Sequence, residues 1–79
     1  MTARKPASTA TEDVFNAIVR YKKEHGYPPT LTELSEALYM SRSGIYRHLE
    51  KLEQQGRIWR DTRKARGIQI LTEPGDKPR

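Results

Sequence analysis

TLTELSEALYMSRSGIYRHLEKLEQQGRI, residues 30–58, contains two helix starts, one tight turn and one helix stop. Thr30 and Glu33 stand three apart, the spacing at which a hydroxyl and a carboxylate cap each other's backbone amides and open a helix. Leu31, Leu34, Ala37 and Leu38 then form an apolar stripe over barely two turns, which predicts a short helix over 31–38. Tyr39 and Met40 make a turn, Ser41 is a good N-cap, and the following helix runs to Gln55 before Gly56 stops it. Two helices joined by a turn this short form a helix-turn-helix unit.

The second helix of the unit divides cleanly into two faces. At about 100° per residue, Leu49 and Leu52 fall within about 40° of Ile45, whereas Ser43, Arg47, Glu50 and Gln54 fall within about 40° of the opposite direction. Gly44 and Lys51 lie on one flank and Tyr46 on the other. The apolar face belongs in a core. The outward face carries the chemistry that reads base edges: Arg47 can donate two hydrogen bonds to guanine, and Ser43 and Gln54 can bond bases or phosphate oxygens. Gly44 lets the backbone come close, and Tyr46 suits either the edge of the core or the groove. Ser41 and Arg42, at the helix N-terminus, suit a phosphate, and Lys51 and Gln54 join them as backbone contacts.

Upstream, Thr9 and Glu12 offer another capping box, followed by Val14, Phe15, Ile18 and Val19 at helical spacing. This helix covers 10–25, with Lys22, Lys23 and His25 at its positive-tolerant end and Gly26 as its stop. Tyr27-Pro28-Pro29 lacks the donors and the backbone freedom to remain helical and reads as extended. Downstream, Ile58, Ile68 and Ile70 recur at period two around the polar segment 61–66, predicting a hairpin of 57–60 with 67–71 whose tip is basic. Trp59 alternates with Ile58 and so points away from it, as a lid over the core or on the outer face of the hairpin. A hairpin directly after a helix-turn-helix is a wing, so the fold is mainly α: a winged helix-turn-helix of three helices and a two-stranded wing over residues 9–71. The polar ends, 1–8 and 72–79, read as disordered tails.

Charge follows this layout. Between residues 42 and 66 eight Lys or Arg stand against three acids, so this stretch holds the whole formal net charge of +5 and the rest of the chain is neutral. Such a patch attracts polyanions through counterion release. With no cysteine among its 79 residues, the chain has no disulfide framework, thiolate zinc site or catalytic thiol. His25 and His48 are too far apart, and too short of carboxylate neighbours, to suggest a metal; His48 reads as a packed helix residue or a phosphate contact. Ser35, Ser41 and Ser43 lack a His-Asp arrangement, there is no phosphate-binding glycine loop, and no paired-carboxylate pocket fits so small a core, so no enzyme, cofactor or small-molecule substrate is expected. No apolar run approaches the roughly 20 residues of a membrane span, and a cytoplasmic, nucleoid-associated protein is expected.

Three separated blocks, GYPPTLTELSEAL, SRSGIYRHLEKLEQQGRI and RDTRKARGIQIL, resemble in order and spacing the N-terminal winged-helix domain of the LexA family, repressors of the bacterial DNA-damage response. The resemblance covers about residues 9–71. It implies a third helix that enters the major groove of a palindromic operator and a wing that touches the flanking backbone or minor groove. Ser41, Ser43, Gly44, Tyr46 and Arg47 fall where that family reads bases, and Arg63, Lys64 and Arg66 are the wing candidates. Gly44, Tyr46 and Arg47 form no combination tied to a familiar operator, which leaves the target sequence open. The chain stops where the family's second domain begins, so it lacks the cleaved Ala-Gly bond and the Ser-Lys pair that cleaves it. The resemblance leaves it as a monomer, a homodimer assembled on palindromic DNA, or an accessory to a protein co-regulator. Its Met start and charged tail suit a complete short gene product, an expressed fragment being the alternative. The function expected is sequence-specific binding of double-stranded DNA by a transcriptional repressor. The alternative is a winged-helix adaptor that docks on another protein and binds DNA only non-specifically.

Overall fold

Val14, Phe15 and Ile18 of the first predicted helix are fully buried, and the rest of the chain packs on them. The computed structural model describes residues 10–72. α1 spans Ala10–His25, α2 Leu31–Leu38 and α3 Arg42–Gln54, followed by β1 (Ile58–Arg60) and β2 (Ile68–Ile70). The fold is mainly helical, a winged helix-turn-helix with one antiparallel hairpin. Leu34 of α2, Ile45, Leu49 and Leu52 of α3, Ile58 of β1 and Ile68 of β2 complete the core. Burying each such side chain contributes about 1.5 to 3 kcal/mol, and a domain this small has few to spare.

Local sequence sets the ends of these elements. Thr30 Oγ1 accepts from the Glu33 amide at 3.1 Å while Glu33 Oε1 accepts from the Thr30 amide at 2.9 Å, completing the capping box of α2. Ser41, in extended geometry, caps α3 by accepting from the Gly44 amide at 3.0 Å. α3 ends in a Schellman motif: Gly56 takes φ +76°, its amide donates to Glu53 O, and the Arg57 amide donates to Leu52 O, each at 3.0 Å. The turn between α2 and α3 departs from the usual composition. Tyr39 occupies the left-handed position at φ 55°, where glycine or asparagine is common, and its ring is 95% exposed.

The hairpin pairs Ile58 with Ile70, Trp59 with Gln69 and Arg60 with Ile68. β1 starts one residue later than the sequence predicts and β2 is one residue shorter at each end, because Arg57 closes α3 and Gly67 closes the wing loop. The pairing nevertheless continues through both: Leu71 donates to Arg57 O at 2.8 Å and Asp61 to Gly67 O at 2.9 Å. A Cβ on Gly67 would lie 2.2 Å from Asp61 O, so only glycine lets the two ends of the wing loop approach this closely. Thr9, and with it the predicted first capping box, lies outside the described residues, as do 1–8 and 73–79. Among the described residues no helix is long and apolar enough to cross a membrane.

Candidate nucleic-acid interface

Because Ile45, Leu49 and Leu52 are drawn fully into the core, the opposite face of α3 must face solvent. Ser43, Tyr46, Arg47, Glu50, Lys51 and Gln54 are all exposed, and Gly44 is half-buried behind the Ser41 cap. A Cβ on Gly44 would sit 3.3 Å from Ser41 Oγ, so glycine here leaves room for the capping hydroxyl. Arg42 leans over the first turn of α2, with Nη1 3.4 Å from Thr32 Oγ1. Ser43, Tyr46, Arg47 and Glu50 line one shallow depression together with Leu31 and Arg42. Of the sequence-predicted reading residues of α3, Ser43, Tyr46 and Arg47 therefore share one surface, and Gly44 does not line it.

Beside that depression lies a cleft of about 320 Å³ between the start of α2, α3 and the hairpin. Leu31, Leu49 and Ile68 line its apolar part, and Thr32, Arg60 and Lys64 stand among its polar residues. Tyr46 and Leu31 line both hollows.

The arginines of the hairpin segment behave differently from those of α3. Arg57 is 6% exposed, lies 4.2 Å over the Phe15 ring and grips both carboxylate oxygens of Glu12. Arg60 lies 4.6 Å over the Tyr46 ring and donates Nε and Nη2 to Glu53 Oε1 at 3.1 and 3.0 Å. Arg66 lies 4.6 Å over the Tyr27 ring, donates Nη1 and Nη2 to the two oxygens of Glu33 at 2.8 Å each, and donates Nη1 to Pro28 O at 2.9 Å. Each cation joins one aromatic ring and one helix carboxylate. One clamp reaches α1, one α3 and one α2. Arg63 pairs locally with Asp61 at 3.1 Å, where the carboxylate also accepts from the Arg63 amide in a tight Asx turn.

The carboxyl groups register these cations. Glu33 is held down at about 2 by Arg66 and by the Thr30 amide. Glu12 is lowered chiefly by its hydrogen bonds from Arg57, and Asp61 by Arg63. Burial alone would lower the Arg60 pKa, yet the Tyr46 hydroxyl and the Glu53 carboxylate raise it on balance. Four of the eight basic residues in 42–66 are thus ion-paired. Arg42, Arg47 and Lys51 on α3 and Lys64 at the wing tip are the exposed cations of that stretch outside these pairs.

Sequence reasoning placed Arg63, Lys64 and Arg66 together on the wing; all three are exposed there, but Arg66 turns back to α2. It missed Glu12, Glu33 and Glu53 as clamp partners, and for Glu12 and Arg57, 45 positions apart, no local spacing signals the contact. His48 is a packed helix residue, its Nδ1 2.9 Å from the hydroxyl of buried Thr11. Trp59 sits on the outer face of the hairpin, 51% exposed.

The family model for the LexA DNA binding domain matches residues 4–67. The chain belongs to that family. Among LexA repressors, those of Clostridium perfringens (strain SM101 / Type A), Desulfitobacterium hafniense (strain DSM 10664 / DCB-2) and Exiguobacterium sibiricum are 34%, 40% and 40% identical to it over 85%, 81% and 90% of this chain, covering 34%, 32% and 34% of their own length. The chain thus spans about a third of the curated relatives it matches. The matched LexA region takes in all three helices, β1 and the wing loop, and so contains every candidate contact residue named above.

Proposed function

We propose that this chain is a sequence-specific transcriptional regulator that binds double-stranded DNA and acts as a repressor. α3 enters the major groove and the wing lies along the flanking backbone or minor groove. The observation that carries this reading is the exposed face of α3, where Ser43, Tyr46, Arg47 and Glu50 share one depression beside the wing. Arg47 supplies the fork that matches guanine, and Ser43 a hydroxyl for a base or phosphate. Ser41, Arg42, Lys51 and Gln54 hold phosphates around them, and Lys64 with Arg63 extends the contact from the wing. The names of the LexA repressors among its relatives support the direction of regulation. The nucleoid is then its place of action. Two copies bind one palindromic site, since a single small module buries only about 600 to 1,000 Å² on DNA and gains specificity from a second half-site.

Selection of bound duplexes from a random oligonucleotide pool at physiological salt, followed by sizing of the complex, tests this reading. A palindromic motif carrying two copies is expected. Recovery of no motif would overturn it.

A second reading, an adaptor that docks on another protein, is favoured by the outer face of the hairpin. Trp59 is 51% exposed there, and Leu71, just after β2, is 55% exposed. A tight protein partner lost on Trp59→Ala, with DNA selection yielding no motif, is the outcome that would favour it.

A further inference from the structure

Tyr46 is the aromatic residue on the exposed side of α3, and the fold holds it in a defined position. Arg60 lies 4.6 Å over its ring and is itself held by Nε and Nη2 on Glu53 Oε1, about two turns further along α3. The Arg60 side chain is 11% exposed, so this cation is spent inside the protein and is withheld from phosphate. With Arg60 over the ring, Tyr46 stays 42% exposed at the rim of the hollow that Ser43, Arg47 and Glu50 also line.

The largest apolar group on the major-groove edge of the four bases is the C5-methyl of thymine. The donors and acceptors of adenine, guanine and cytosine would lose water against an aromatic edge without gaining a partner, which is unfavourable. From this geometry we infer that Tyr46 is a thymine-reading residue that packs its ring edge on the C5-methyl group, with Arg60 and Glu53 as the positioning residues that fix the ring. This rests on the major-groove reading proposed above and assigns a base to one residue of that surface.

The test uses the duplex recovered by selection, with each thymine replaced in turn by deoxyuridine, which removes the methyl and changes no hydrogen-bonding group. The wild-type chain is expected to lose about fourfold in affinity at one thymine per half-site, the equivalent of one buried methyl group. Tyr46→Ala should bind thymine and uracil duplexes alike. Glu53→Gln, which keeps the side chain but weakens the hold on Arg60, should move the thymine-to-uracil ratio toward unity. If Glu53 matters only for folding, both duplexes weaken by the same factor and the ratio stays put. Glu53→Gln also keeps the test open should Tyr46→Ala lose its fold, which circular dichroism monitors. Indifference of the wild type to every replacement, or a ratio that survives Tyr46→Ala, would overturn the inference while leaving the recovered motif intact. Recovery of no motif would remove the proposed function and the inference with it.

Discussion

α3 and the hairpin are both rich in arginine, yet they use it in opposite ways. On α3, Arg42 and Arg47 stand in solvent beside a face whose apolar side is fully committed to the core. Around the hairpin, Arg57, Arg60 and Arg66 each turn onto an aromatic ring and a carboxylate of a different helix. A two-stranded hairpin has too little apolar surface to hold itself in place. Its arginines add to the attachment that Ile58 and Ile68 make through the core, because a planar guanidinium can stack and make two parallel hydrogen bonds at once. Charge of the same sign is therefore left open to solvent in one region, where the proposed binding surface lies, and used as fastening in the other.

The largest effect expected is on the wing itself. Gly67→Ala places a methyl group against Asp61 O, and the collision with backbone should cost about 3 kcal/mol or detach the hairpin altogether. Urea denaturation with Trp59 fluorescence as the probe reads this; unchanged stability would mean the loop closes without that approach.

Arg57→Ala separates fastening from binding. It removes a buried cation that stacks on Phe15 and pairs with Glu12, and should lower stability by about 2 to 3 kcal/mol. Arg47→Ala should change stability by less than about 0.5 kcal/mol yet cost about 1 to 3 kcal/mol on the specific duplex and relax sequence preference. Lys64→Ala should instead weaken all duplexes alike and flatten the salt dependence. Equal losses on specific and random DNA for Arg47→Ala would remove it from the reading residues.

Acid should loosen the fastenings before the core. Glu33 binds its proton near 2 in the folded chain against an ordinary 4.5, so its contribution is complete above about 4.5 and disappears as the pH falls through about 2. Glu12 and Asp61 are shifted in the same direction, so their contributions also begin to be lost as the pH falls towards 4.5 and 3.8. Stability measured against pH should fall less steeply between pH 4.5 and 2 in Glu33→Gln than in the wild type. Matching slopes would show that Arg66 does not hold Glu33 in solution.

The smallest effect lies at the turn. Tyr39→Gly relieves a left-handed side-chain conformation but adds unfolded-state freedom, for a net gain of up to about 1 kcal/mol by thermal melting. A loss would mean that the exposed ring contributes a contact of its own.

Periodicity and capping residues alone determined the three helices, the turn and the hairpin. Thr30 with Glu33, Ser41, Gly26 and Gly56 act on amides and carbonyls within a few positions of themselves, and the isoleucine and leucine spacing fixes which face turns inward. The outward face of α3 was legible for the same reason, since it is whatever the apolar face leaves over. Only the tertiary structure decided which arginines remain available. Glu12 meets Arg57 and Glu33 meets Arg66 across 45 and 33 positions, distances at which sequence spacing carries no information. The sum of charges along a segment is a property of the sequence. The field a ligand meets depends on which of those charges folding has already neutralised.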